Sequence, residues 1–459
     1  MGGLPAALAA RGERVAVVTP AYRQNQYPSP PREAYRNLWI PLGPGYSVDV
    51  WELTERNVTF YFVHCPPLYD RDGIYGTSSG DFPDNHVRYG VLSMAALGVA
   101  RHLFPANIIH AHDWQTGLVP VYIREHFFGD PTFFGVKVLF TIHNLGYQGL
   151  FPPSAISQIG LDPRLLNPEQ LEFFGKLSLI KGGIAWSHGV STVSKGYARE
   201  IQTPEYGFGL DGFLHKHGPI AGIVNGVDYE EWNPENDPYI ARKYSVNDLS
   251  GKRECKRAVL EEYGLPAENL DRPLIGIVSR FASQKGFDLV AEIASKLLDE
   301  GVSLVVIGSG DLVYESMFRR LAQVRPDQVG VHIGYDNPLA HRVEAGADIF
   351  LMPSRYEPCG LNQIYSLKYG TVPVVRATGG LDDTIGEDTG FKFQEYTGKA
   401  LLQAVHSAVT AYGDQDEWVA MMRRGMQKDF SWSAAAGEYV ALYRELLTGE
   451  SFSQVFTSI

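Results

Sequence analysis

A chain of 459 residues is too long for one ordinary domain and suits two domains of roughly 200 residues each. Forty basic residues against 52 acidic ones give a net charge of -12 with no block of like charge, which argues against a nucleic-acid footprint or a polybasic lipid-binding segment. A composition of 44% hydrophobic and 20% charged residues is that of a soluble globular protein, and no apolar run approaches the ~20 residues of a membrane span. Cys65, Cys255 and Cys359 are odd in number and scattered, which favours a reducing compartment over a disulfide framework. The 13 histidines are dispersed rather than paired at i, i+4, and the start shows no signal-peptide pattern, so neither an essential metal nor secretion is expected.

In chain order, Met1-Gly2-Gly3-Leu4-Pro5 and the residues up to Gly12 read as a short helix already in progress, followed by a strand over 14–18. A doubly wound domain normally begins with a strand before such a helix. From 22 to 84 the text is turn-rich and aromatic, with short strands at 39–41, 48–53 and 58–63. The stretch from Tyr69 through Asp70, Asp72 and Tyr75 to Gly76 mixes rings and acids in a way that suits carbohydrate; an ordinary surface loop reads the same way.

A helix over 87–102 and strands over 108–111 and 138–142 come next. Their carboxyl ends carry His110-Ala111-His112-Asp113-Trp114 and Thr141-Ile142-His143-Asn144-Leu145. Open α/β sheets bind ligands at such ends, so Asp113 and His143 are candidates, although a strand-end His also serves simply to hold a turn. A helix over 175–186, a strand over 189–193 and a helix over 195–202 continue the alternation, and 222–224 leads into Asn225-Gly226-Val227-Asp228. Residues 234–273 are charged and Pro-punctuated, which marks a domain junction.

The alternation restarts with a strand over 274–278, whose end holds Ser279-Arg280-Phe281-Ala282-Ser283-Gln284-Lys285-Gly286. A helix over 287–299, a strand over 303–307 with Gly308-Ser309-Gly310, a helix over 312–324 and a strand over 329–333 with Gly334-Tyr335 follow. A buried strand over 348–352 then leads through Pro353-Ser354-Arg355-Tyr356-Glu357-Pro358-Cys359-Gly360-Leu361 into a helix over 362–369, stopped by Gly370. Arg280 and Lys285 share one loop and could reach a single diphosphate, Arg as a fork and Lys as a point charge; a solvated Arg and Lys are the plain alternative. The N–H groups of Gly360, Leu361 and Asn362 would point out of the helix start, a setting that favours an anion. Glu357 stands where a carboxylate could accept sugar hydroxyls or oppose positive charge on a reacting carbon, or could be a surface acid before a stiff turn. A strand over 371–375 followed by Thr378-Gly379-Gly380-Leu381 predicts a second Gly-bearing turn alongside the first. The tail over 418–447 reads as an amphipathic helical stretch, and 448–459 as frayed.

Together these motifs closely resemble the bacterial glycogen synthase and plant starch synthase family, with Ser279-Arg280, Ser283-Gln284-Lys285-Gly286, Glu357-Pro358-Cys359-Gly360-Leu361 and Thr378-Gly379-Gly380-Leu381 among the matching text. The likeness runs from residue 2 to about 447. It implies an α/β protein of the GT-B type: two Rossmann-like domains facing across a cleft, with the C-terminal helices crossing back to the N-terminal domain. The expected domains are 1–243, acceptor-side; 244–425, nucleotide-sugar-binding; and 426–459, the cross-back helix and tail. The resemblance further implies a retaining transfer of glucose from ADP-glucose to the non-reducing 4-hydroxyl of an α-1,4-glucan, with no cofactor beyond that substrate.

By the same likeness Glu357, His143, Asp113, Arg280 and Lys285 carry the chemistry. Donor binding falls to Arg280, Lys285, Tyr335, Glu357, Cys359, Gly360, Leu361, Asn362, Asn225, Asn144 and Gly308. Arg280 and Lys285 would face the departing diphosphate, and Tyr335 the adenine. The family is cytoplasmic in bacteria and stromal in plastids. Family members begin with a strand and a K-x-G-G-L-G-D loop that meets the donor phosphates, whereas Gly2-Gly3-Leu4-Pro5 matches a later segment. The expectation is therefore a gap in the first sheet and weak or absent turnover, and the competing reading is a non-catalytic glucan or nucleotide-sugar binding protein.

Overall fold

The computed structural model describes residues 2–77 and 79–449, which fall into two compact α/β units. One unit takes the described residues up to 193, residues 201–223 and those from 435 on; the other takes 194–200 and 224–434. The divisions therefore lie at 223/224 and 434/435 rather than at the expected 243/244 and 425/426. Hydrogen bonding explains the shift at both places, since Val227 N donates to the Phe430 carbonyl at 2.8 Å and ties the 225–228 turn to the second unit. Residues 194–200 join that unit because Ser194 Oγ donates to the Pro358 carbonyl at 2.6 Å.

In the first unit, strands Val15–Pro20, Val58–His64, Tyr46–Glu55 and Arg32–Ile40 form one sheet in that spatial order, the first pair parallel and the others antiparallel. A second sheet runs Ile220–Gly222, Gly189–Thr192, Lys137–Ile142, Ile108–His112, all parallel. Among the described residues Val15–Pro20 and Ile108–His112 each pair on one side only, so the two larger sheets of the first unit are not joined through these strands; a three-stranded sheet of Glu172–Phe173, Lys176–Ser178 and Leu150–Phe151 and the two-stranded pair Gly76–Thr77 and Gly80–Asp81 are separate from both. The helix Asn85–His102 buries Val87, Val91, Leu92, Ala95 and Val99. The helix expected over 175–186 forms only as Leu179–Trp186, because Phe174-Gly175 makes a hairpin turn and Lys176–Ser178 pairs as a strand. Ser178 then accepts from Lys181 N and caps the shortened helix.

The second unit carries one six-stranded parallel sheet in the order Val329–Ile333, Ser303–Gly308, Leu274–Val278, Ile349–Met352, Val372–Arg376, Phe391–Phe393. The first strand in sequence sits in the middle; the chain winds outward one way, crosses over and winds out the other way. Such a reversal opens a crevice at the carboxyl ends of the two central strands, Leu274–Val278 and Ile349–Met352. Ile275, Ile277, Val290, Leu304, Val306, Leu351 and Val374 fill the core beneath it, each such side chain contributing about 1.5–3 kcal/mol on burial.

Among the elements with no counterpart in the sequence reading are the helices Asn337–Gly346, Gly398–Tyr412, Leu118–Glu125 and Asp211–His217 and the strands Phe391–Phe393 and Leu150–Phe151. Asp336 caps the first of them, with Pro338 in its first turn. The expected tail helix is two helices, Gln415–Met426 and Trp432–Thr448, parted at 427–431. From residue 450 the stretch expected to fray lies outside the described residues. No helix among the described residues is long and apolar enough to cross a membrane.

Candidate functional site

At the crevice of the second unit two loops interlock. The Arg355 amide donates to the Gln284 carbonyl at 2.8 Å, and Gln284 Nε2 donates to the Tyr356 carbonyl at 3.1 Å. Gly286, at φ +75°, lets the loops close: a Cβ there would lie 1.9 Å from the Pro353 carbonyl oxygen. The result brings Lys285 Nζ to 2.6 Å from Glu357 Oε2, which also accepts from Ser354 Oγ at 3.1 Å. Glu357 is buried, and the ammonium is the charge partner that makes a buried carboxylate tolerable. Two residues assigned separately to sugar and diphosphate thus form one ion pair. Arg280, in the same loop, is exposed and pairs with no acid among the described residues.

The second Gly-bearing turn lies against the first, as the adjacent parallel strands Ile349–Met352 and Val372–Arg376 require. Gly380 N donates to the Glu357 carbonyl at 3.0 Å, and a Cβ at Gly379 would stand 2.1 Å from that same oxygen. From the 194–200 segment, Glu200 accepts from Thr378 Oγ1 at 2.9 Å and from Gly379 N at 2.8 Å. Burial raises the Glu200 carboxyl above its usual range. Glu200 and Ser194 escaped the sequence reading because their partners stand more than 160 residues away.

The helix Asn362–Lys368 begins where expected and ends one residue early, before Tyr369 and Gly370. Its first hydrogen bonds run from the amides of Ile364 and Tyr365 to the Leu361 carbonyl, so the amides of Gly360, Leu361 and Asn362 lie ahead of the helical ladder. Asn362 also has a side-chain role, donating through Nδ2 to the Val278 carbonyl at 2.6 Å and fastening the helix start to the central strand. Behind the helix, Ser366 Oγ donates to Glu344 Oε2 at 2.7 Å, and burial pushes that carboxyl well above its ordinary range. Lys252 is enclosed nearby, its Nζ donating to the carbonyls of Ala345 and Tyr369 and to Thr371, and burial lowers it to about 8.

The other donor-side candidates sort by position. Cys359 is buried, and burial pushes its thiol up to about 12 although the Asn225 backbone donates to it; this contact sets Asn225 beside the Glu357 loop. Gly308 ends its strand so close to the Ser279 carbonyl that a Cβ would lie 1.9 Å from that oxygen. Tyr335, 89% exposed, stands just past the end of Val329–Ile333 and does not touch the Glu357–Lys285 pair through any hydrogen bond.

In the first unit the candidates stand at the ends of Ile108–His112 and Lys137–Ile142. Asp113 has φ 55° and ψ -176°, a conformation that ordinary side chains avoid and that marks stored strain. Its Oδ1 accepts from the His143 amide at 2.7 Å, and the Asn144 backbone donates to it too, so the carboxylate holds the loop that carries both residues. Burial nevertheless raises the Asp113 carboxyl. His143 Nε2 lies 3.0 Å from His112 Nδ1; His110 is hydrogen-bonded to Thr141 Oγ1 at 2.6 Å and to the Tyr443 hydroxyl at 2.8 Å. Burial lowers all three imidazoles, His110 to about 3, so this is a chain of neutral rings at pH 7. The sequence motif showed the first two histidines but not the partner on the last helix.

The loop from Tyr69 to Gly76 is mostly structural. Tyr69 is fully buried, its hydroxyl donating to the Arg88 carbonyl at 2.7 Å, and the buried Arg88 donates to the Leu68 and Ile74 carbonyls. Tyr75 is the exposed ring of that loop, 6.3 Å from Trp114.

Comparison with known proteins adds the family. A model of the starch synthase catalytic domain matches residues 1–216, and one of glycosyl transferases group 1 matches residues 265–424. The chain is 48% identical over 457 residues to glycogen synthase of Koribacter versatilis (strain Ellin345), covering 97% of this chain and 93% of that one. It is 44% identical over 464 residues to glycogen synthase of Anaeromyxobacter dehalogenans (strain 2CP-C), covering 97% and 95%. Among solved structures, the catalytic domain of Starch Synthase IV from Arabidopsis thaliana bound to ADP and acarbose aligns with a TM-score of 0.87 at 31% identity, over 97% of this chain and 95% of that one. Sucrose-phosphate synthase from Thermosynechococcus elongatus aligns with a TM-score of 0.60 at 20% identity over 97% and 92%, a likeness of fold alone.

Proposed function

The chain belongs to the glycogen synthase and starch synthase family of GT-B glycosyltransferases, and from that premise we propose that it moves glucose from ADP-glucose to the non-reducing 4-hydroxyl of an α-1,4-glucan with retention at the anomeric carbon. The observation that carries this reading is the crevice of the second unit, where Glu357 and Lys285 meet, Lys285 in the loop that also carries Arg280 and Glu357 three residues before Gly360 at the helix start. In the transfer the bond from the glucosyl C1 to the diphosphate oxygen breaks, a bond from C1 to the acceptor O4 forms, and the acceptor proton passes to the departing oxygen. A leaving diphosphate needs positive charge more than it needs a strong base.

Arg280 and Lys285 supply that charge, and the amides of Gly360, Leu361 and Asn362 receive the distal phosphate. Glu357 opposes the charge developing on the glucosyl carbon, and it is released from Lys285 as the diphosphate takes the ammonium. Tyr335 lies against the adenine, while Asn225 contributes at the sugar. Gly308 and the buried Cys359 admit the donor by shape rather than by chemistry. In the first unit the neutral His143 offers a hydrogen bond to a sugar hydroxyl, with Asp113 and Asn144 fixing its loop. Three free, buried cysteines suit a reducing cytoplasm.

The test is transfer of label from ADP-glucose into precipitated glycogen by the whole chain, with Glu357→Ala as control. The reading expects label in glucan that disappears in the control. Equal incorporation by both chains would remove Glu357 from the chemistry.

A further inference from the structure

Behind the Glu357 loop of the second unit lies a helix start that is capped in an unusual way. Thr378 precedes the helix Gly379–Thr384, where a threonine ordinarily accepts an amide of the first turn; here its side chain makes no such bond. Its hydroxyl is donated instead to Glu200 Oε1 at 2.9 Å, and the same oxygen accepts from Gly379 N at 2.8 Å. The capping role has thus passed to a carboxylate 178 residues away in sequence. Bonds to an ionised acceptor are about twice as strong as neutral ones.

The turn that Glu200 holds rests directly on the chain at Glu357. Gly380 N donates to the Glu357 carbonyl at 3.0 Å. Gly379, at φ +46°, approaches that oxygen so closely that a Cβ would stand 2.1 Å from it, and a Cβ on Gly380 would stand 2.1 Å from the Cys359 carbonyl oxygen. Ser194, on the same short segment as Glu200, donates through Oγ to the Pro358 carbonyl at 2.6 Å, while Gly196 N donates to Asp383 Oδ2 at 2.7 Å. The carbonyls of 357, 358 and 359 therefore each rest on the Gly-bearing turn or on the 194–200 segment.

The Glu357 side chain is otherwise held by Lys285 Nζ and Ser354 Oγ. In the proposed transfer the diphosphate takes the ammonium, and the backbone hold then fixes where the carboxylate stands against the glucosyl carbon. We propose that Glu200 is the positioning residue of that hold: through the turn at Thr378, Gly379 and Gly380 it sets the Glu357 main chain and thereby the carboxylate during transfer. That role rests on the place given to Glu357 in the proposed function, and Glu200 acts only through the turn.

The experiment is a double-mutant cycle on the full chain, with transfer from ADP-glucose into glycogen as the readout. Glu200→Ala is expected to lower kcat roughly hundredfold, the loss that a misplacement of about 1 Å produces, with KM for ADP-glucose changed less than about twofold. Glu200→Gln keeps an oxygen that can accept from both donors and is expected to stay within about threefold of the wild type. In a Glu357→Gln background, Glu200→Ala is expected to lower transfer less than about threefold further, because the group being positioned has already lost its charge. A residue that merely stabilised the fold would lose the same factor in both backgrounds.

Hydrogen exchange, read without donor, supplies the second measurement. Amides in 356–361 and 378–381 are expected to exchange at least about tenfold faster in Glu200→Ala and at the wild-type rate in Glu200→Gln, with the strand Ser303–Gly308 unchanged in both. Undiminished transfer in Glu200→Ala, an equal factor lost in both backgrounds, a Glu200→Gln chain as impaired as Glu200→Ala, or unchanged exchange at 356–361 would each overturn the proposal. Absence of transfer in the wild-type chain would overturn the proposed function instead, and the exchange result alone would then decide whether Glu200 holds the Glu357 loop.

Discussion

The two units place functional groups at equivalent positions, the carboxyl ends of parallel strands, yet solve the electrostatics in opposite ways. The second unit gathers charge: Lys285 against a buried Glu357, with Arg280 exposed in the same loop as Lys285 and paired with no acid among the described residues. The first unit removes it, holding His110, His112 and His143 as neutral rings and turning the Asp113 carboxylate inward onto backbone amides. Under the proposed function the contrast assigns a different demand to each half. A departing diphosphate calls for cations, while a sugar, uncharged, calls for hydrogen bonds fixed in direction.

The sharpest way to break that division is Glu357→Gln, which keeps shape and removes charge. Transfer into glycogen is expected to fall by ~10³-fold, the upper size of effect for one electrostatic group, with the circular dichroism spectrum unchanged. A loss of less than tenfold would show that the charged half does not govern the rate.

Asp113→Asn probes the neutral half. The side chain keeps its shape but loses the charge that holds the amides of the His143 loop, so the first unit is expected to lose about 1.5–3 kcal/mol in a denaturant melt. The accompanying loss of transfer is expected to be nearer tenfold than a thousandfold, because a positioning contact is loosened rather than a charge removed.

A third comparison uses acid. His110 is held near 3 in the fold against an ordinary value of about 6.5, so between those values the unfolded chain binds more protons. The stability it contributes is present above the upper value and lost as pH falls toward the lower. Glu344 in the second unit is shifted upward, so its contribution runs the other way and is lost as pH rises. Calorimetry from pH 7 to 4 is expected to lower the melting of the first unit more than that of the second, with a flatter slope in His110→Gln. Earlier melting of the second unit would contradict the assignment.

Much of the charged half was legible in the sequence, because its groups sit in short loops between apolar runs: Arg280 with Lys285, and Glu357 with the helix that Gly370 stops. What a linear reading could not show was the pairing of Lys285 with Glu357, 72 residues apart, since that depends on the strands Leu274–Val278 and Ile349–Met352 becoming neighbours. The neutral half was less legible. His110 and His112 looked like strand residues, the Tyr443 hydroxyl that His110 meets lies on the helix Trp432–Thr448, and the strain at Asp113 has no sequence signature. The Tyr69 loop misled for a related reason: Tyr69 faces the core, and only burial by Arg88 decides it. Phe174 was hidden because Phe-Gly is not a pattern that announces a tight hairpin.

The smallest expected effect concerns Cys359. A thiol pushed to about 12 by burial is a poor nucleophile at pH 8. Iodoacetamide is expected to leave Cys359 unlabelled in the native chain and to label it after denaturation, as read by mass spectrometry.

The division itself is tested most directly by the affinity for ADP, measured calorimetrically for the wild-type chain, Lys285→Ala and His143→Ala at fixed ionic strength. The account predicts binding at least about tenfold weaker in Lys285→Ala, from the loss of one ammonium–diphosphate contact, and an unchanged constant in His143→Ala. Equal weakening in both, or none in Lys285→Ala, would contradict the claim that the diphosphate is held by the charged half.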